Sequence, residues 1–269
     1  MNLHRHVFAL TLAVSTLTLA SALPVRADFD FQKGDHIVTI GNALPDRMQH
    51  SGWLETLIQS QQAENELVFR NLGFTGDQVN NRPRNKGFTP TEDFLKNLET
   101  DVIFVMFGYN ESFADKPDDY KKQLGDMIEK YRALKPNGES EPRFVLFTPI
   151  AHENLGDRNL PNGKKNNERL AKIAKATKAV AEEKKTGFVD LFTTSQALYE
   201  ATDVPLTING VHLNDDGNRL LAEVMAEQLL GKKVPAAGEL ETIREAVLDK
   251  NWHWYKRYRR VDGNDIWGG

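Results

Sequence analysis

Early in the chain stands the run Gly34-Asp35-His36-Ile37-Val38-Thr39-Ile40-Gly41-Asn42-Ala43-Leu44-Pro45-Asp46-Arg47. Its β-branched residues 37–40 predict a short strand that is buried on both faces. Gly41 ends this strand, and the polar residues after it predict a turn towards a helix that begins near Ser51, with Ser51 as its N-cap. In an α/β protein, ligands and catalytic groups collect in the loop that leaves the carboxyl end of the first strand. Position 43 is therefore the first candidate for a nucleophile, and it holds an alanine.

Four further apolar runs predict strands, and segments with helical spacing lie between them. The predicted strands are 67–69, 102–107, 144–147 and 188–190, and the predicted helices begin near residues 91, 117, 167 and 214. We expect Asn214 to cap the last of these helices, and Asp190, at the end of a strand, to cap or orient rather than to catalyse. Strands that alternate with helices predict a parallel sheet covered on both faces. The expected fold class is therefore α/β, a three-layer, doubly wound and mostly parallel sheet of five strands with a C-terminal helical tail.

The first 27 residues predict a secretory signal peptide. Arg5 precedes an apolar segment, and small residues follow where a peptidase would cut after Ala27. The alternative is a membrane anchor, but the apolar segment is short and interrupted by Thr and Ser, whereas a spanning helix needs about 20 mostly apolar residues. We expect a signal peptide at 1–27, the α/β domain at 28–232, and a C-terminal helix with an aromatic and basic tail at 233–269. The expected location is secreted or periplasmic, without stable membrane insertion after cleavage.

Charge and cysteine content exclude several functions. The net charge is −4 for the 269 residues and becomes −6 without residues 1–27, which carry two arginines and no acid. Nucleic-acid binding usually needs a basic face, so we expect no nucleic-acid partner. The chain has no cysteine, which excludes a thiol nucleophile and disulfide bonds.

Four short segments resemble, in chain order, the sequence blocks of the SGNH (GDSL-like) hydrolases. They are 41–44 (Gly-Asn-Ala-Leu), 71–77 (Asn-Leu-Gly-Phe-Thr-Gly-Asp), 108–110 (Gly-Tyr-Asn) and 209–212 (Asn-Gly-Val-His). The resemblance implies a flavodoxin-like strand order and an ester hydrolase that needs neither metal nor cofactor. It implies small acyl esters or acylated carbohydrates as substrates. It also implies an oxyanion hole formed by the Ala43 N–H, the Gly76 N–H and the Asn110 amide, with His212 as the base.

Two positions that carry chemistry in this family are changed here. The serine position is Ala43, which has no oxygen to attack a carbonyl, although its backbone N–H can still serve the oxyanion hole. The aspartate position is Asn209, whose amide can orient His212 but cannot stabilise an imidazolium as a carboxylate does. In a serine triad such an exchange lowers the rate by about four orders of magnitude.

Three interpretations remain open for such a site. The protein has lost catalysis and binds a carbonyl, an anion or a sugar at the retained hole. Alternatively, it is an esterase or carbohydrate deacetylase in which His212 activates a water molecule. In the third interpretation another hydroxyl replaces the missing one, and Thr75, Ser112 and Ser51 are the nearest in sequence.

Three features outside the blocks have simpler predicted roles. His152-Glu153 lacks the second histidine of a zinc-protease helix, so it predicts a surface pair in a loop near the mouth of the site. Arg47 is expected to be a solvated surface arginine, and contact with an anionic substrate is the alternative. The tail places aromatic residues among cations, which predicts rings packed on the domain and charges pointing to water; a carbohydrate platform is the alternative. The tail residues are Trp252, Trp254, Tyr255, Tyr258 and Trp267 with Lys256, Arg257, Arg259 and Arg260.

Overall fold

Five parallel strands form one sheet in the computed structural model, which describes residues 29–83, 89–235 and 239–259. The strands are β1 (His36–Gly41), β2 (Val68–Asn71), β3 (Val102–Met106), β4 (Arg143–Phe147) and β5 (Gly187–Val189). Their order is β2-β1-β3-β4-β5, and every neighbouring pair is parallel. The predicted doubly wound, flavodoxin-like sheet is confirmed. In this order the ends of β1, β3 and β4 lie side by side, at the edge where ligands bind in such folds.

Helices cover both faces of this sheet. They are α1 (Ala43–Ser51), α2 (Trp53–Gln61), α3 (Thr91–Asn97), α4 (Pro117–Leu134), α5 (Lys164–Lys184), α6 (Leu191–Ala201), α7 (Asp215–Leu230) and α8 (Glu241–Arg259). The central strand β3 turns Phe104 and Met106 towards the core under α1, α2, α6 and α7. It turns Ile103 and Val105 towards α3, α4 and α5. All of β3 is buried, which explains why it reads as an unbroken apolar run rather than an alternating one.

The first helix begins eight residues earlier than the sequence predicts. Asn42 caps α1, because its side chain accepts a hydrogen bond from the Leu44 N–H, and Ala43 is the first helical residue. Pro45 lies in the first turn, where a proline costs no hydrogen bond, so the segment that looked like a turn is helical. The prediction that Ser51 caps a helix is wrong. Ser51 ends α1, and Gly52 with φ +71° separates α1 from α2.

Two predicted helix caps are confirmed, and one helix was not predicted. Asp190 accepts a hydrogen bond from the Thr193 N–H at 3.0 Å and begins α6, a helix that the sequence analysis did not propose. Asn214 accepts one from the Gly217 N–H at 2.8 Å and begins α7. Asp190 joins the end of β5 directly to α6, and Asn214 joins the segment 209–213 directly to α7.

The tail helix α8 lies on the domain. Trp254 donates to the Asn71 carbonyl at 2.7 Å, and Tyr258 stacks on it. The predicted packing of the rings is confirmed for these two residues, whereas Trp252 is 58 % exposed. The prediction that the cations point to water is wrong for Arg259, which is buried because it pairs with an acid of α1.

Trp267 and Arg260 lie outside the described residues. Within the ranges that the structure describes, no helix is long and apolar enough to cross a bilayer.

Candidate functional site

A cavity of about 240 Å³ opens at the carboxyl ends of β1, β3 and β4. Its walls include four of the five residues that were expected to share one site, namely Ala43, Gly76, Asn110 and His212. The fifth, Asn209, contacts His212 but is not on the cavity wall. The close approach of β1 and β3 depends on Gly41, because a Cβ there would lie 2.4 Å from the Met106 carbonyl oxygen. Four segments that are far apart in sequence therefore meet at one pocket.

Two residues of the cavity wall keep a backbone N–H group free for a ligand. Ala43 is the first residue of α1 and Gly76 lies in the loop after β2. Among the described residues, neither N–H has a hydrogen-bond partner. The Ala43 N–H also lies at the positive end of the helix dipole, which favours negative charge on a bound oxygen.

The loop that carries Gly76 is held by a buried ion pair. Asp46 of α1 accepts hydrogen bonds from the Thr75 N–H at 3.0 Å and from the Thr75 hydroxyl at 2.6 Å. Its other carboxylate oxygen lies 2.5 Å from the guanidinium of Arg259, and the two side chains are 10 % and 6 % exposed. The Arg259 guanidinium also stacks on the Phe74 ring at 3.3 Å. The last described residue of α8 thus fixes the loop that carries Gly76, a connection that the sequence analysis missed.

Asn110 is positioned by the loop after β3. Its side-chain amide donates to the Asp77 carbonyl at 2.9 Å, and its second N–H has no partner among the residues that the structure describes. Behind it, the buried Glu111 carboxylate accepts bonds from the Gly108 and Val79 N–H groups at 2.9 and 2.8 Å. Burial raises the pKa of Glu111, and these backbone bonds oppose that rise. The loops that carry Gly76 and Asn110 are therefore tied to each other.

The histidine and its neighbour form a local pair on the segment before α7. The Asn209 side-chain oxygen accepts bonds from the Val211 and His212 N–H groups at 3.2 and 3.0 Å. Its amide nitrogen lies 3.0 Å from His212 Nδ1, and its oxygen lies 3.2 Å from the same atom. Because the oxygen already has two donors, the network assigns the amide as donor to Nδ1. With that assignment His212 carries its proton on Nε2 and is a donor there; with the Asn209 oxygen accepting from Nδ1, the proton lies on Nδ1 instead.

Electrostatics keep His212 neutral near pH 7. Burial lowers the pKa of His212, and the positive charge of Arg47 lowers it further. Arg47 lies on the cavity wall and is exposed, as the sequence predicted. No acidic partner for Arg47 exists in the described part of the chain.

The segment 206–212 is held by a carboxylate that the sequence analysis placed on the surface. Glu153 accepts bonds from the Leu206 and Thr207 N–H groups at 2.9 and 2.7 Å. His152 and Glu153 are each only 7 % exposed, so the predicted surface pair is wrong. Gly210 (φ +85°) packs on His152, where a Cβ would lie 2.5 Å from Nε2. The backbone donors satisfy the buried carboxylate and make its burial tolerable.

A family model of the GDSL-like lipase/acylhydrolase family matches residues 34–220. The chain belongs to this family. Similar structures include a catalytic mutant of Axe2, an acetylxylan esterase from Geobacillus stearothermophilus, at 18 % identity and TM-score 0.59, covering 75 % of this chain and 96 % of that one. A GDSL-like lipase from Parabacteroides merdae matches at 18 % identity and TM-score 0.62, covering 76 % and 99 %. No curated protein sequence matched. At these identities the structural likeness shows the fold.

None of the hydroxyls suggested as substitutes stands open in the cavity of this GDSL-like protein. Thr75 lines the cavity, but its hydroxyl donates to Asp46. Ser112 is fully buried and donates to the Tyr109 carbonyl at 2.7 Å. Ser51 donates to the Met48 carbonyl and lies outside the cavity wall. Within the described ranges, no three carboxylate or imidazole groups form a cluster that could hold a metal ion.

Proposed function

We propose that this GDSL-like protein is exported and binds an acyl or anionic ligand at its oxyanion hole without forming an acyl-enzyme. One observation supports this most strongly. Ala43 lies on the same cavity wall as His212, and it has a backbone amide but no side-chain hydroxyl that could attack a carbonyl. The Asn209 amide supports the same proposal. When it donates to Nδ1 of His212, the ring proton lies on Nε2, and Nε2 has no lone pair to accept a proton. Both changes remove chemistry and retain binding.

Acetylated carbohydrate is the first neutral ligand to test. Axe2, to which this fold is similar, is an acetylxylan esterase. The test titrates acetylated xylo-oligosaccharides into ¹⁵N-labelled protein and follows the Ala43 and Gly76 amide resonances, while acetate release is measured in parallel. We expect saturable shifts of both amides and no acetate release above the uncatalysed rate. The deacetylated oligosaccharide is the matched control and should leave these two amides unshifted.

An Asn110→Ala variant tests the third donor of the hole. Losing one hydrogen bond of about 1.4 kcal/mol weakens binding about tenfold. If the acetylated and deacetylated sugars bind with equal affinity, or if Asn110→Ala leaves the affinity unchanged, the acyl group does not bind at the oxyanion hole.

Direct hydrolysis by water is the second candidate function. The Asn209 oxygen also lies within 3.2 Å of Nδ1, and in that arrangement Nε2 would be unprotonated. Water would then attack the acyl carbonyl as Nε2 takes its proton, and the departing alkoxide would receive that proton, giving a carboxylic acid and an alcohol. Acetate release that is abolished by His212→Ala would support this function and overturn binding without turnover.

A further inference from the structure

The cavity is lined by hydrogen-bond donors at the place where the family's chemistry would occur. Ala43 and Gly76 line the cavity, and the backbone N–H of each has no partner among the described residues; Asn110 has a second amide N–H beyond the one given to Asp77. With Asn209 donating to Nδ1, the Nε2–H of His212 is a fourth donor. A ligand group that accepts several hydrogen bonds at once fits such a site, whereas an ammonium group, which only donates, does not.

The charges around the cavity are of one sign. No aspartate or glutamate is among the described residues of its wall, and Arg47 is the permanently charged side chain there. Three carboxylates belong to residues next to the wall or bonded to it, and each has a cation or backbone N–H groups nearby. Glu111 accepts bonds from the Val79 and Gly108 N–H groups. Asp46 pairs with Arg259, and Asp77 lies within electrostatic reach of Arg82 and Arg259. A carboxylate at position 209 would oppose an anion in the cavity, and the amide found there does not.

The hydroxyl that a serine would place at position 43 is missing, and its place is free for an oxygen of a ligand. A carboxylate would place one oxygen between the Ala43 and Gly76 N–H groups. Its other oxygen would lie in the space beside the Ala43 methyl group, facing His212. Hydrogen bonds to a charged acceptor are about twice as strong as those to a neutral one.

We infer that the cavity selects ligands that carry a carboxylate, held by the Ala43 and Gly76 amides, Asn110 and His212, with Arg47 at the rim. This inference rests on the proposed function, because it identifies the ligand group that the retained hole prefers. The same two substitutions that remove the nucleophile and the acid turn the site from one that releases an anionic product into one that retains it.

The test compares sodium acetate with acetamide, its neutral isostere, at constant ionic strength. Both are titrated into ¹⁵N-labelled full-length protein, and the Ala43 and Gly76 amide shifts give the two dissociation constants. We expect acetate to bind at least tenfold more tightly than acetamide. Equal affinities, or tighter acetamide binding, would overturn the inference and leave the proposed function standing. If neither probe nor an acetylated sugar shifts these amides, the proposed function fails as well.

Two variants separate the contributions of charge and of the histidine. Arg47→Gln should weaken acetate binding several-fold and leave acetamide binding unchanged. Asn209→Asp should weaken acetate binding at least tenfold, because it places a negative charge beside His212. Arg257→Gln removes the same charge from an exposed position of α8 and should change neither constant. If neither Arg47→Gln nor Asn209→Asp changes the affinity for acetate, the anion binds outside this cavity and the inference is wrong.

Discussion

Replacing Ala43 by serine and Asn209 by aspartate, the residues that the family has at these positions, should give the protein acyl-transfer activity. Ala43→Ser supplies the attacking oxygen at the first turn of α1. Asn209→Asp lets a carboxylate oxygen accept the Nδ1 proton of His212, so that the lone pair moves to Nε2 on the cavity side. The Asn209 amide now lies 3.0 Å from Nδ1 and fixes the opposite tautomer. Because the wrong tautomer costs about four orders of magnitude in a serine triad, the double variant should exceed Ala43→Ser alone by about 10⁴. That ratio corresponds to about 5 kcal/mol in the barrier.

The assay is hydrolysis of p-nitrophenyl acetate with a pre-steady-state burst measurement on four proteins: wild type, each single variant and the double variant. Only the double variant should show a full burst, because nucleophile and base act as a unit. Ala43→Ser with Asn214→Asp is the matched control. It adds the same charge nearby but leaves Nδ1 facing the Asn209 amide, so it should match Ala43→Ser alone. Equal rates for Ala43→Ser and the double variant would refute the tautomer assignment, and a folded but inert double variant would refute the shape of the pocket.

Three further outcomes follow from the buried charges. Burial raises the pKa of Asp77 from 3.8 to about 6, so the native state binds a proton that the unfolded state has lost, and wild type loses stability as the pH rises through this window. Asp77→Asn should therefore gain about 3 kcal/mol relative to wild type between about pH 4 and pH 7 in urea unfolding. Arg259→Gln leaves Asp46 buried without its cation and should cost about 3–5 kcal/mol in the same assay. The ¹⁵N NMR titration of His212 should give a pKa below its ordinary range and a protonated Nε2, and Asn209→Asp should raise that pKa.

Each of these outcomes has a control. Arg257→Gln, on an exposed part of α8, should change stability by less than about 0.5 kcal/mol. A stability difference between Asp77→Asn and wild type that is the same at both pH values would show that Asp77 titrates normally. If Arg259→Gln unfolds like Arg257→Gln, the ion pair does not hold the loop that carries Gly76. A His212 spectrum with the proton on Nδ1 would favour a catalytic base.

The parallel sheet, and the convergence of the four family-like segments at one edge of it, could be predicted from the sequence. Val102–Met106 is an unbroken apolar run because it is central and covered on both faces. The alternation of strands and helices then requires a parallel sheet whose carboxyl ends lie together. Asp190 and Asn214 were recognisable as caps, because a side-chain oxygen in that position satisfies the first N–H groups of a helix.

The contacts that position the site could not be read from local patterns. Arg259 is 213 residues from Asp46, and a basic residue in a polar tail carries no local sign that its partner is buried. Glu153 lies in a segment whose composition is that of an exposed loop. Its burial depends on hydrogen bonds from the Leu206 and Thr207 N–H groups, which the fold brings beside it. The start of α1 was missed because Pro45 resembles a turn residue, although a first-turn proline is compatible with a helix.

Labelling with a fluorophosphonate is the most direct test of a site that keeps its hole and lacks its nucleophile. Wild type and the Ala43→Ser, Asn209→Asp double variant are treated side by side and analysed by intact-protein and peptide mass spectrometry. We predict no adduct on wild type and one adduct at position 43 of the double variant. An adduct on wild type at Thr75 or Ser112 would contradict the account, because another hydroxyl would then have replaced the missing serine.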